Sequence, residues 1–305
     1  VTREQQLGGL LGLLLGDAVG VPYEFHDPRN LPPLSELGPE PSPGFRRSHA
    51  GTPVGTWSDD GAHALALLEV LVTCGGWDAE RFAGHLRAWW DRGAFTPDGR
   101  TFDIGNQTSA VLARLEAGVP ASASGLSGER DNGNGSLMRV LPVALASPLE
   151  GPALLALAAE TSAVTHAHPR SRLCCAALVA WARALARGEG DAFGAAVAEV
   201  TAWCPPEWSR EWAVVLGFGP PRGSGYVVDT LWTARAALDG ATDPRSAIQR
   251  AIAYGLDTDT TACVAGGLAG IRWGSAALPG DWLACLRGRA VWEPLVMRWL
   301  GAGAA

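Results

Sequence analysis

The chain has 305 residues, 47% of them apolar and only 18% charged, with a formal net charge of −7. That length fits one large domain or two ordinary ones, and sparse charge implies a large core. The acidic balance argues against non-specific nucleic-acid binding, which rests on neutralising phosphates, but not against binding one phosphorylated small molecule. The six cysteines show no metal-type spacing. Cys174 and Cys175 are adjacent, and Cys263 and Cys285 lie in apolar surroundings that predict core. Unpaired cysteines favour a reducing, cytoplasmic setting. The apolar run 7–15 is too short to span a membrane and no cleavage pattern follows it, so neither anchor nor signal peptide is expected.

In chain order, residues 3–19 read as a helix. Gly8, Gly12, Gly16 and Gly20 recur every four residues and put one glycine stripe on one face. Each glycine costs ~1 kcal/mol in a helix interior, so the stripe predicts close approach of another helix backbone. Residues 21–56 are rich in proline, glycine and charge, with no steady period. Loops of this length within a domain are often functional. Helical patterns follow at 62–73, at 78–91 with Phe82, Leu86, Trp89 and Trp90 on one side, and at 104–117, 136–145 and 153–164. The pattern 170–187 opens behind Pro169, a favoured first-turn residue. Further helices are predicted at 192–203, 226–238, 246–254, 260–273 and 292–300. Strand-like runs are few and no repeat is evident. The prediction is a single all-α domain over 1–305, expected to be a monomer.

Two oxygen-rich stretches carry the chemistry. In the stretch 255–261, Asp257 and Asp259 are each followed by a threonine, Thr258 and Thr260. In extended backbone the two carboxylates share a side. A helix N-cap needs one such residue, and this stretch offers four. Oxygen-only ligands suit Mg²⁺, Ca²⁺ or Mn²⁺ rather than zinc. Ser58, Asp59 and Asp60 likewise precede a core helix. One of them suffices as a cap, and burying unpaired carboxylates is costly. If the two stretches meet, five or six oxygens converge, and cations would stabilise that arrangement.

Other residues fit around such a cluster. Glu24, at the start of the long loop, is placed to swing over it; a solvated loop glutamate is the plain alternative. Asp103 and Asn106 stand at i and i+3 at a helix start, where Asp103 could equally be the N-cap. Asp131, Asn132, Gly133, Asn134, Gly135 and Ser136 form a glycine-rich turn into a helix, whose N–H groups can cradle a diphosphate. His166 is expected to be catalytic or to touch phosphate, and His168 to cap the helix that Pro169 starts. Tyr226, behind the turn 223–225, suits stacking on a base or ribose as well as it suits the core.

The blocks GDAVGVPYEF, GTWSDDG, DIGNQT, NGSLMR, THAHP, SGYVVDTL and GLDTDT run in that order through nearly the whole chain. With them the chain resembles the ADP-ribosylglycohydrolase family, most of all its arginine-directed, dinitrogenase reductase-activating branch. The resemblance implies an all-α fold, two divalent cations (Mg²⁺ or Mn²⁺), and hydrolysis of the glycosidic bond linking ADP-ribose to a protein side chain. The partner would be an ADP-ribosylated protein or another ADP-ribose conjugate. It implies Ser58, Asp59, Asp60, Asp257, Asp259 and Thr260 as metal ligands, and Glu24 as the glutamate of a flexible loop. It places Asp103 and Asn106 at the reacting ribose, Asn134, Gly135 and Ser136 at the diphosphate, and His166 facing substrate. Asp103, Glu24 and Asp60 are the candidate catalytic carboxylates, with Asp131 assisting Asp103. Three positions depart from the family pattern. Ser58 replaces the usual Thr and keeps the hydroxyl; Gly61 stands where Thr or Ser is usual; Leu256 replaces a common Gly. None removes a carboxylate. A metal-dependent phosphohydrolase and a non-catalytic binder are the alternatives.

Overall fold

The structure is a computed structural model that describes residues 1–301. Among these residues there are fifteen α-helices and no strand. The first half holds α1 (Arg3–Gly20), α2 (Asp59–Thr73), α3 (Ala79–Arg92), α4 (Asn106–Glu116), α5 (Ala121–Ser124), α6 (Leu141–Ala146), α7 (Gly151–Ala163) and α8 (Pro169–Ala186). The second half holds α9 (Ala192–Trp203), α10 (Ser209–Leu216), α11 (Val227–Asp239), α12 (Pro244–Ile252), α13 (Thr258–Trp273), α14 (Gly280–Cys285) and α15 (Arg289–Leu300).

The glycine stripe sets the centre of the molecule. Helices α1 and α13 run antiparallel with their backbones in contact. Gly8 faces Gly270, Gly12 faces Gly266, Gly16 faces Ala262, and Gly20 faces Asp259. A Cβ added at Gly12 would collide with the Gly266 carbonyl, and one at Gly266 with the Gly12 carbonyl. Leu10, Leu13, Leu14 and Leu15 fill the other faces of α1, and α13 is buried from Thr258 to Ile271. A helix apolar all round needs neighbours on every side. Helices α8, α11 and α12 surround α13, while α2 and α6 pack on α1. The Thr258 hydroxyl donates to the Gly20 carbonyl at 2.8 Å, tying the start of α13 to the end of α1.

Several expectations are corrected. Helices α2 and α13 begin at Asp59 and Thr258, so Asp59, Asp60 and Asp259 lie within the first turns and, of the four acids, only Asp257 precedes its helix. The helix expected over 136–145 shrinks to Leu141–Ala146. The Arg139 guanidinium donates to the Gly135 carbonyl at 2.9 Å, the group that an intact helix would offer to the N–H of Arg139. Pro142 cannot donate to the Met138 carbonyl. Helix α10 escapes the pattern because it is only eight residues long; its buried residues, Trp212 and Val215, are one pair at helical spacing, too few to establish a period. Trp90 is 49% exposed although Trp89 is buried. Cys285 is exposed rather than core, and all six cysteines are free.

The backbone contact is directly testable. Gly12→Ala should lower stability by about 1–3 kcal/mol, the cost of overpacking a tight interior. Gly84→Ala, at an exposed position of α3 with open space beside it, should instead raise stability by about 0.5–1 kcal/mol. Thermal unfolding of both variants checks this, and an unimpaired Gly12→Ala would mean that α1 and α13 do not meet as described.

Candidate active site

The site begins with one buried acid inside the leucine-rich helix α1. Asp17 is fully buried, and its carboxylate accepts the Ser58 N–H at 2.9 Å and the Gly61 N–H at 2.7 Å. Burial pushes this carboxyl up to about 7, against the two N–H donors that favour its ionised form. The clamp fixes the N-terminus of α2 against the end of α1. The Ser58 hydroxyl caps that helix by accepting the Asp60 N–H at 3.3 Å. Asp59 and Asp60 then project toward the start of α13, where the Thr260 hydroxyl reaches Asp60 Oδ1 at 3.3 Å. The two oxygen-rich stretches thus meet. Asp257 and Asp259 converge not by alternation along extended backbone but because one precedes α13 and the other stands in its first turn.

Glu24 is held inside this cluster. The Phe25 N–H donates to the Leu256 carbonyl at 2.5 Å, and the Leu256 N–H donates to the His26 carbonyl at 2.7 Å. Glu24 is only 4% exposed, with Oε2 2.6 Å from His49 Nε2. It is not a solvated loop residue. Carboxylate oxygens of Glu24, Asp257 and Asp259 lie within 4.8 Å of one another. Leu256 has φ 59°, a left-handed conformation that favours glycine, which accounts for glycine being the usual residue here. At Gly61 the space for a larger residue is filled by Leu14 and Trp57.

These donors fit divalent cations. Asp60 Oδ2 and Asp259 Oδ2 are buried without a hydrogen-bond partner among the described residues. Burial first, and then repulsion from neighbouring carboxylates, holds Asp59, Asp60 and Asp259 well above the ordinary aspartate range. Burial, then Asp103, Asp257 and Asp59, pushes Glu24 up to about 10, and burial with Asp257 pushes Asp103 up to about 6. Among the described residues no arginine is bonded to Asp59, Asp60, Asp257 or Asp259. A second group, Glu129, His168 and Glu211, differs in this respect because Arg170 bridges both glutamates at 2.9 and 2.5 Å. Hard oxygen donors lacking an internal counter-charge match a hard divalent cation such as Mg²⁺, Ca²⁺ or Mn²⁺.

A cavity of about 550 Å³ opens from the cluster. Glu24, Asp59, Asp60, Asp103, Asp257 and Thr260 line it on the acidic side; Asn106, Asp131, Asn134, Gly135 and His166 line it elsewhere. Asp103 has φ 53° and is not the cap of α4, which starts at Asn106 behind Gly105. Asp103 and Asn106 therefore share the cavity but not a helix face. The Asn134 amide donates to Asp257 Oδ2 and to the Thr230 hydroxyl, each at 2.9 Å, and so orients Asp257. Asp131 turns back into its own loop to accept the Gly128 N–H at 2.8 Å. The ring of His166 stands beside Gly135, and burial and the nearby Arg139 keep it neutral.

Four predicted residues do not line the cavity: Ser58, Asp259, Ser136 and Tyr226. No helix begins at Ser136, whose hydroxyl lies beneath the loop and accepts from Ser162 at 2.9 Å. Tyr226 packs on Phe218 with centroids 5.8 Å apart. The main-chain groups on either side of it hold the loop: the Val227 N–H donates to the Asn132 carbonyl at 3.0 Å, and the Asn134 N–H donates to the Gly225 carbonyl at 3.1 Å. His168 caps α8 through Nδ1, as expected. Sequence reading gave no role to Asp17, His49 or Gln107. Gln107 donates to the Asp131 and Thr165 carbonyls at 3.1 and 3.2 Å and so holds the loop in place. An acid within a leucine run was the available signal for Asp17; Gln107 carries none.

A sequence model described as ADP-ribosylglycohydrolase matches residues 1–304. A Pseudomonas putida protein named ADP-ribosylarginine hydrolase Tri1 is 32% identical, over 93% of this chain and 75% of its own length. The ADP-ribosyl-[dinitrogen reductase] glycohydrolase of Rhodospirillum rubrum is 28% identical, over 93% of this chain and 90% of its own. A solved structure titled ADP-ribosylglycohydrolase-related protein complex superposes with a TM-score of 0.76 at 28% identity, covering 99% of both chains.

The carboxylates set a pH dependence. In the fold Asp103 and Asp17 keep a proton up to about 6 and about 7, against 3.8 for an ordinary aspartate. Raised values of this kind stabilise the cation-free fold below 3.8 and lose that contribution as pH rises through about 6 and about 7. Mg²⁺ competes with the protons of Asp59, Asp60 and Asp259, which burial and mutual repulsion hold well above the ordinary range, and its charge favours the ionised forms of Asp103 and Asp17 nearby, so the Tm gain from Mg²⁺ over chelator should grow as pH rises. Asp60→Asn should abolish the gain yet raise the Tm in chelator, because a repelling charge is removed. A Tm gain independent of pH would contradict the unpaired cluster.

Proposed function

The chain belongs to the ADP-ribosylglycohydrolase family, and on that premise we propose that it hydrolyses the bond between ADP-ribose and an arginine side chain of a modified protein. The observation that carries this reading is the junction of an unpaired acidic cluster and a glycine-rich loop on one cavity. The first suits cations that grip vicinal ribose hydroxyls; the second suits a diphosphate. Two of the relatives carry names that specify ADP-ribosylarginine.

Asp59, Asp60, Asp257, Asp259 and Thr260 would hold two divalent cations, Mg²⁺ or Mn²⁺, with Ser58 fixing the helix start on which the first two stand. When bound, the cations supply orientation of the ribose and a lowered pKa for an adjacent water. Cleavage breaks the bond from the anomeric carbon to the guanidine nitrogen through an oxocarbenium-like state. Water adds its oxygen to that carbon, and the guanidine departs with a proton. Asp103 faces the guanidinium and can hold it by a charge-assisted, bidentate pair. A carboxyl near 6 also works close to the pH at which proton transfer is efficient. Glu24 closes the site from the loop and places a second carboxyl against the reacting centre. The six free thiols support a reducing, cytoplasmic setting.

Asp103→Asn should cost on the order of a hundredfold in turnover of ADP-ribosylarginine protein, the scale of a positioned acid or base, with little change in stability. Intact ADP-ribose should be the product; AMP and ribose phosphate would instead identify a phosphohydrolase, and a fully active variant would remove Asp103 from the chemistry. Glu24→Gln should reduce kcat far more than Mn²⁺ affinity, read by titration calorimetry. Equal losses in both would make Glu24 a cation ligand rather than a catalytic group.

A further inference from the structure

Beneath the glycine-rich loop lies a fully buried guanidinium. Arg139 donates from Nη1 to the Gly135 carbonyl at 2.9 Å and from Nη2 to the Thr165 hydroxyl at 2.7 Å. The ring of Phe82 lies 5.0 Å from it, and among the described residues no carboxylate is bonded to it. A guanidinium only donates, so Thr165 Oγ1 must accept from it. The other partner of that hydroxyl is His166 Nδ1, at 2.6 Å. No third partner is present among the described residues, and Thr165 is fully buried. Were the hydroxyl to accept from both neighbours, its own proton would be buried without a bond, which is costly. The threonine proton therefore points at Nδ1, and Nδ1 is the bare nitrogen of the neutral ring.

The proton of the imidazole then sits on Nε2, and Nε2 faces the loop. A Cβ built at Gly135 would lie 3.3 Å from it and one at Gly133 3.6 Å, so the two glycines leave open the space in front of that nitrogen. We propose that Arg139, acting through Thr165, fixes His166 as the Nε2–H tautomer, so that the ring offers a hydrogen-bond donor to an oxygen of bound ADP-ribose beside Gly133 and Gly135. The assignment of the ligand rests on the function proposed above; the relay itself does not. With the opposite tautomer, a nitrogen lone pair would confront the lone pairs of that oxygen. Arg139 and Thr165 are positioning residues, and His166 makes the contact.

Histidine-labelled protein, with the His166 signals assigned by comparison with His166→Gln, reports the tautomer directly by ¹⁵N NMR. The wild type should show His166 with Nδ1 unprotonated and Nε2 protonated. Thr165→Val, which keeps the shape and removes the hydroxyl, should lose that preference; Thr165→Ser should retain it. Calorimetry with Mg²⁺ and ADP-ribose should show affinity about tenfold weaker in Thr165→Val, equivalent to about 1.4 kcal/mol, and unchanged in Thr165→Ser. A wild-type His166 protonated on Nδ1 would overturn the relay even if Thr165→Val does not fold. So would a folded Thr165→Val with the wild-type tautomer. A wild type that shows the Nε2–H tautomer but binds no ADP-ribose would instead overturn the ligand assignment and the functional reading, leaving the relay standing.

Discussion

Carboxylates brought close together and away from water repel one another, and each would sooner take a proton than remain charged. Asp17, Glu24, Asp59, Asp60 and Asp259 are buried, and Asp257 half-buried, in one region of this protein. Among the described residues, two of their oxygens have no hydrogen-bond partner. The fold tolerates the arrangement through rigid surroundings rather than internal counter-ions. Both oxygen-rich stretches open helices, so the N-terminal ends of α2 and α13 turn their partial positive charge toward the acids. Backbone N–H groups of Ser58 and Gly61 hold Asp17, and the Asn134 amide holds Asp257. What is left uncompensated is the charge that a divalent cation would take up.

That rigidity derives from the contact between α1 and α13. Four glycines on one helix bring backbone against backbone, so the ends of α1, α2 and α13 are fixed relative to one another without intervening side chains to adjust. Asp17 extends the same alignment to α2. The positions of acids from stretches some two hundred residues apart therefore depend on hydrogen bonds and small residues well outside the cavity.

Much of this was legible in the sequence because its signals are local. The glycine stripe has no local benefit in a helix, so it had to mark a partner, and the partner is α13. Paired acids exceed what a helix cap requires, and so pointed to a site. Where the reading failed, the deciding interaction was remote. Nothing around residues 136–140 indicates that the side chain of Arg139 takes a helical carbonyl for itself. Asp103 and Asn106 were expected to share one helix face, but the left-handed backbone of Asp103 sets it outside α4. Gln107 acts through main-chain groups of two distant turns, a role with no pattern in the chain. Ser136 and Tyr226 were the right segments, but they serve the site through main-chain or buried contacts.

The pairing of Phe25 and His26 with Leu256 is made entirely of main-chain groups. A latch of that kind is blind to side-chain identity, so Glu24 keeps its place whatever residues flank it. Phe25, 69% exposed, lines the cavity, and Leu256, its partner in the latch, is 40% exposed. Selection is therefore free to redraw the rim that a macromolecular target would meet without disturbing the acid a few ångströms beneath it. Leu256, in a left-handed conformation that glycine would hold without strain, is one position where such a change carries a backbone cost.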